Sequence, residues 1–264
     1  MIRRAAPLLT LVMTITAVAL ADPYGPPYAV TDMAPFCARC HASTALTQLI
    51  DLPQSAAAEE SVEAKHLARI RKDAAYKDLS ATDREALINA IKWMDEQSSV
   101  VIKAPITVKR NSRMEVSVIT KGGAGPVVGV SLVDSGVRFQ ARSIGSTGFQ
   151  VLGPALVRGP DGKPQPQWAE RRLRGSDLGL STVMITDIHG NAVTKHIDET
   201  QTTWILRAPP ETGEFKLAAV FFYGTEKAHP LGTVVRNGQA EPRGGISGPS
   251  GRIMFSDVIN ISVR

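Results

Sequence analysis

The chain has only two cysteines among its 264 residues, Cys37 and Cys40, and this scarcity excludes several kinds of site. A disulfide framework needs more pairs, and a bridge across two intervening residues closes a loop too small to stabilise the fold much. A structural zinc site usually takes four ligands, and there is no second cysteine pair to complete one. The proline-rich segment 21–36 before the pair shows no strand pattern, which argues against a thioredoxin-like redox site.

Other functional signatures are missing too. The sequence contains no G-x-S-x-G nucleophile elbow, no phosphate-binding loop, no credible catalytic carboxylate pair and no internal repeat. Its net charge of +5 is spread along the chain, which suits acidic partners but does not predict nucleic-acid binding. After residue 21 no stretch is apolar enough to predict a transmembrane segment. We therefore expect a protein without catalytic residues of these kinds.

Residues 1–21 have the pattern of a secretory signal peptide. Arg3 and Arg4 precede an apolar stretch that is short for a membrane span, and an Ala-Leu-Ala triplet ends it. This pattern predicts cleavage after Ala21, so that the mature chain begins at Asp22 in the periplasm or another exported location. A retained membrane anchor is the alternative.

Both cysteines belong to the pentapeptide C-A-R-C-H at 37–41, which matches the C-x-x-C-H haem attachment site. Two thiols separated by two residues on a helical turn can add to the two vinyl groups of a porphyrin. The imidazole that follows can then reach the iron from one face. The motif predicts one covalently attached haem c, held by Cys37 and Cys40, with His41 as the proximal iron ligand.

By this motif, and by the helical pattern after it, the segment from about 30 to 98 resembles the c-type cytochromes. The resemblance implies a small all-α haem domain, which we place at 22–100. Such a domain closes with a helix that packs across the first one.

The stretch 79–97 supplies a candidate for that closing helix. Ser80 and Thr82 are N-cap candidates, and Asp83 and Glu85 are their capping-box partners. An apolar stripe at steps of three and four residues predicts the buried face, formed by Leu87, Ile88, Ile91 and Met94.

The second axial ligand is less obvious. Members of the family commonly place a methionine between the haem motif and the closing helix, but residues 42–79 contain none. They contain one histidine, His66, within a helical pattern over 62–76 whose apolar residues are Val62, Leu67 and Ile70. We therefore predict that His66 completes a bis-histidine iron, and an open iron is the alternative. Weaker candidates are Met33, Met94 and Met114, of which Met94 fits a core position better.

From about residue 101 to 264 the sequence changes to short β-rich runs separated by glycine, proline and asparagine, which predicts an all-β antiparallel sandwich. The runs are 114–120, 127–134, 137–141, 180–188, 202–208, 214–224, 231–236 and 252–264. The segment 208–215 (A-P-P-E-T-G-E-F) is typical of a hairpin connection. The strand count and the texture around Trp204 resemble immunoglobulin-like or reeler-like domains, without the Cys-Trp-Cys signature of the former. This resemblance implies a docking or binding module.

Several polar or aromatic residues in the second half are explained by ordinary structural positions. Asp187, His189, His196 and Asp198 lie close in sequence, but their spacing matches no metal motif and favours an ordinary turn. We expect His229 in a loop and Trp168 and Trp204 in the sandwich core or at its rim. The segment 170–174 reads as a solvated face, with a docking patch as the alternative.

Together these features predict a periplasmic monohaem c-type cytochrome that carries single electrons between redox partner proteins, which are acidic if charge guides docking, and that is not an enzyme. The alternative is a five-coordinate haem sensor or haem enzyme that binds a small ligand at a vacant iron site.

Overall fold

The structure, a computed structural model, describes residues 61–134, 144–165, 180–226, 233–236, 239–242 and 250–264. The predicted signal peptide and the haem motif with Cys37, Cys40 and His41 lie outside these ranges, as do Trp168, the 170–174 segment and His229. No helix within the described ranges combines the length and the apolar character that crossing a membrane requires.

The helical segment, residues 61–97, contains the two predicted helices. A π-helical turn over Glu63–Leu67 continues into α1 (Ala68–Lys72), and a 3-10 turn over Ala74–Tyr76 follows. The second helix, α2, covers Ala81–Gln97. The helix expected over 62–76 is therefore present, but it is wider in its first turn and ends at Lys72.

Helix α2 confirms the predicted cap and the predicted buried face. Ser80 is the N-cap, and its side-chain oxygen accepts a hydrogen bond from the backbone N–H of Asp83 over 3.1 Å. All four residues of the apolar stripe are buried: Leu87, Ile88, Ile91 and Met94. The first three pack with Leu67, Ile70 and Tyr76 into a small core of the helical segment.

Thirteen strands lie within the described ranges. In chain order they are β1 (Ser99–Lys103), β2 (Thr107–Val108), β3 (Arg113–Lys121), β4 (Ala124–Val133), β5 (Gln150–Val151), β6 (Leu156–Arg158), β7 (Thr182–Ile185), β8 (Glu199–Arg207), β9 (Gly213–Gly224), β10 (Thr233–Arg236), β11 (Gln239–Pro242), β12 (Arg252–Phe255) and β13 (Ile259–Val263).

The long strands form two sheets, and β10 and β11 form a separate pair. One sheet has the order β1-β3-β8-β5, with β6 also paired to β8; the other has the order β2-β13-β9-β4-β7, with β12 also paired to β9. All pairs are antiparallel except β2 with β13. The predicted antiparallel β architecture of the second half is confirmed at this level.

The main core lies between the two sheets, as in a sandwich. In β3 and β8 alternate residues are buried, which gives one buried and one exposed face. Trp204 is fully buried in this core, as expected, and its Nε1–H donates to the carbonyl oxygen of Leu180 over 3.0 Å. Strand β9 is buried on both faces from Leu217 to Tyr223, which explains its continuous apolar run.

The predicted hairpin at 208–215 is wrong. Strands β8 and β9 belong to different sheets, so residues 208–212 cross from one sheet to the other. The two edges of β8 are already paired, one with β3 and the other with β5 and β6. Proline and glycine mark a reversal of the chain, but they do not determine which strand the returning chain pairs with.

Candidate functional site

His66 is buried at the junction between the helical segment and the β-sandwich. It lies in the π-helical turn, in which the backbone N–H of Ala68 reaches back to the carbonyl oxygen of Glu63. Such turns are rare and occur frequently at functional sites. Only 2% of the His66 surface is exposed, although histidine is usually found partly at the surface.

One side of the His66 ring faces Glu226, which follows the end of β9 and is fully buried. Nε2 of His66 is 2.8 Å from Oε1 of Glu226. The same oxygen accepts a hydrogen bond from the Tyr76 hydroxyl over 2.7 Å, and Oε2 accepts one from the Thr225 hydroxyl over 2.7 Å. Each oxygen of this buried carboxylate therefore has a donor, as burial of a charge requires.

The other side of the ring faces Arg252, the first residue of β12. Nη1 of Arg252 lies 2.7 Å from Nδ1 of His66 and also donates to the carbonyl oxygen of Gly251. Nε of Arg252 donates to Oδ2 of Asp95, near the end of α2, over 3.0 Å. Nη2 is also 3.0 Å from that oxygen, but it is not aligned for a hydrogen bond. The Tyr223 hydroxyl donates a hydrogen bond to Oδ1 of Asp95.

These contacts fix the proton on the His66 ring. A guanidinium only donates hydrogen bonds, so Nδ1 must accept from Arg252. Nε2 then carries the hydrogen and donates it to Glu226. In this arrangement neither ring nitrogen of His66 keeps a free lone pair for a metal. We call the six side chains His66, Tyr76, Asp95, Tyr223, Glu226 and Arg252 the junction network.

Glu226 is ionised at neutral pH. Burial by itself would raise the pKa of this carboxyl group, but His66 and the hydrogen bonds from Tyr76 and Thr225 outweigh burial and lower the pKa to about 2. The negative charge of Glu226 is therefore part of the folded structure.

This lowered pKa predicts a pH-dependent stability. The ionised form is stabilised relative to the unfolded chain, so the contribution is present above the ordinary carboxyl pKa of 4.5 and is lost as the pH falls towards 2. We expect Glu226→Gln to cost roughly 3 kcal/mol of unfolding free energy at pH 7 and progressively less below pH 4.5. Urea unfolding of both proteins at pH 7 and pH 3 measures the difference. Glu115→Gln, on the exposed face of β3, is the matched control and should change little at either pH. An equal loss for Glu226→Gln at both pH values would contradict the prediction.

The methionines considered as iron ligands in the described part of the chain are core residues. Met94 is buried with Ala124 and Ala192 where α2 contacts the sandwich, and Met114 is buried between the two sheets. The expectation that Met94 serves as core is thus confirmed. Met33 lies outside the described residues.

The polar cluster after β7 forms the expected turn. Asn191 and His196 pair across it, and the Asn191 side chain accepts hydrogen bonds from the backbone N–H groups of Val193 and Thr194. Asp198 accepts from the backbone N–H of His189 and contacts Nε2 of His196 at 2.9 Å. Among the described residues no group of three or more histidine, cysteine, aspartate or glutamate side chains could hold a metal ion.

Reasoning from the sequence singled out His66 but missed its partners. Asp95, Glu226 and Arg252 are distant in the chain, and the residue numbers of His66 and Glu226 differ by 160. The available signal was a charged residue directly beside an apolar strand: Glu226 follows the end of β9, and Arg252 begins β12. Such residues are usually exposed, so the signal does not distinguish a buried network from a solvated strand end.

No known protein family matches this chain, and no curated protein matches it. Among solved structures, one match is the CARDB domain of the PF1109 protein from Pyrococcus furiosus, determined in complex with di-metal ions. It is 14% identical, with 64% of this chain and 90% of that one covered, and the TM-score is 0.26. The β-sandwich of this chain is defined by its own strand pairing and core.

Proposed function

We propose that this protein is an exported monohaem c-type cytochrome that carries single electrons between redox partners. The observation that carries the proposal is the C-A-R-C-H sequence at 37–41, which uses the whole cysteine content of the chain. The predicted signal peptide supports it, since haem is attached to such motifs outside the cytoplasm.

The donor set fits a covalently bound haem. Cys37 and Cys40 provide two thiols at the spacing of the porphyrin vinyl groups, and His41 provides a nitrogen ligand for the iron. When bound, the haem supplies reversible one-electron chemistry, and its axial ligands and burial set the potential. His66 was expected to be the second axial ligand, but its described contacts with Glu226 and Arg252 do not fit that role.

Contacts among the described residues would support the proposed haem domain by fixing its closing helix to the β-sandwich. Helix α2 is fixed to the sandwich by the junction network, by the Met94 contacts and by Lys195, whose Nζ lies 4.2 Å from the centre of the Trp93 ring. A support of this kind would hold a haem domain in one orientation relative to a docking surface. We assign the sandwich the role of docking a redox partner on that basis.

A second candidate function has a specific observation in its favour. Because both ring nitrogens of His66 are engaged, the iron could keep an open position, as in a haem sensor or a haem enzyme.

Carbon monoxide added to the reduced, full-length protein separates the two functions. An electron carrier with two protein ligands will show slow or negligible binding, because carbon monoxide must displace a ligand. Rapid binding with a large change in the Soret absorption would favour the sensor or enzyme and count against the carrier. The exposed-residue variant Arg207→Ala provides a control for changes unrelated to the iron.

A further inference from the structure

We infer that His66 is not a ligand of the haem iron but a structural residue that fastens the helical segment to the β-sandwich. The inference rests on the proposed function for the presence of a haem, and on the junction network for the role of His66. It opposes the most direct reading of the sequence, in which the single histidine between the motif and the closing helix completes the iron coordination.

Neither ring nitrogen of His66 is available to bind iron. Nδ1 accepts from Arg252 and Nε2 donates to Glu226, with both contacts shorter than 2.9 Å. Binding iron through either nitrogen would require that one of these bonds be broken.

Breaking either hydrogen bond of the His66 ring would leave a buried charged group without that partner. Glu226 is 0% exposed and Arg252 is 2% exposed, so water cannot replace a lost partner at either residue. A buried charge deprived of its partner is strongly unfavourable, because its desolvation is no longer compensated. His66 is therefore retained by two charged neighbours that depend on it.

The junction network connects separate elements of the fold. His66 and Tyr76 come from the first part of the helical segment, Asp95 comes from α2, and Glu226 and Arg252 come from the sandwich. Their hydrogen bonds join the first part of the helical segment and α2 to the strand ends that carry Glu226 and Arg252. The histidine has both a donor and an acceptor nitrogen, so it can link a carboxylate to a guanidinium, which an apolar residue cannot do.

If His66 is structural, the sixth coordination position of the iron needs a different ligand or stays open. His66, Met94 and Met114 are committed to contacts within the fold, so the sixth position is either filled by another residue, such as Met33 or His229 outside the described residues, or it is open. A bis-histidine iron through His66 is not expected.

The test compares the full-length parent with His66→Gln. A glutamine amide can keep the donor towards Glu226 but provides no imidazole. We expect the near-infrared magnetic circular dichroism and low-temperature electron paramagnetic resonance of the ferric haem to be the same in both proteins. A bis-imidazole spectrum in the parent that is lost in His66→Gln would overturn the inference.

A second measurement tests the fastening role independently of the haem. We expect His66→Ala to lower the thermal unfolding midpoint by about 10 °C and His66→Gln to lower it less. If the shifts were additive, the double variant His66→Ala with Glu226→Gln would show the sum of the two single shifts in midpoint. We expect a clearly smaller shift, because both changes remove the same contact. Unchanged midpoints, or fully additive shifts, would contradict the fastening role. A purified protein without haem would refute the proposed function, while these midpoints would still decide the role of His66.

Discussion

Replacing both Cys37 and Cys40 by alanine will abolish all covalently held haem in the exported protein. The two thiols are the only groups in the chain that can form thioether bonds at this motif, so the double variant has no attachment point. Each single variant keeps at most one bond and should give less pigment. Absorption of the purified protein, before and after extraction with acidified acetone, measures what is retained.

Arg39→Lys is the matched control for this experiment. It lies between the two cysteines, keeps the positive charge and leaves both thiols in place. We expect it to hold haem as the parent does. Pigment in the double cysteine variant that resists extraction would show that the haem, if present, is attached elsewhere.

Replacing Arg252 by alanine will cost roughly 3–5 kcal/mol of unfolding free energy, as removal of one partner from a buried ion pair does. The variant removes the donor to Nδ1 of His66 and the ion pair with Asp95. Urea unfolding followed by circular dichroism measures the loss at neutral pH.

Two variants make this result interpretable. Arg252→Lys keeps the charge but loses the planar fork that reaches both His66 and Asp95, so we expect an intermediate loss. Arg207→Ala changes an exposed arginine on β8 and should stay within about 0.5 kcal/mol of the parent. A loss below about 1 kcal/mol for Arg252→Ala would mean that the junction network contributes little to stability.

The elements that could be predicted from the sequence are those with a local signal. Helix α2 has a capping residue at Ser80 and a regular apolar stripe, and both are present in the structure. Strands β3 and β8 are rich in β-branched residues, and β9 has an apolar run of strand length. In each case neighbouring residues alone determine the pattern.

The features that were missed depend on distant parts of the chain. Residues 208–212 have the composition of a hairpin loop, but β8 was already paired on both edges, so the chain crossed to the other sheet. The surroundings of His66 likewise depend on Glu226 and Arg252, which approach it only when β9 and β12 pair. A local helical pattern led to the prediction that His66 binds the iron, but it could not predict that both of its nitrogens would be engaged.

Local sequence patterns and contacts between distant residues support different parts of the proposed function. The haem rests on a pentapeptide that can be recognised from the sequence. The coordination of its iron depends on contacts that only the folded chain reveals. The lowered pKa of Glu226 and the engagement of His66 both follow from hydrogen bonds made at one junction, so the variants of this network should change stability together.

The intact mass of the full-length protein, exported, purified and denatured before measurement, tests the central claim most directly. We predict a polypeptide that begins at Asp22 and carries the added mass of one haem, retained because it is bonded to Cys37 and Cys40. A mass equal to that of the polypeptide alone would contradict the account.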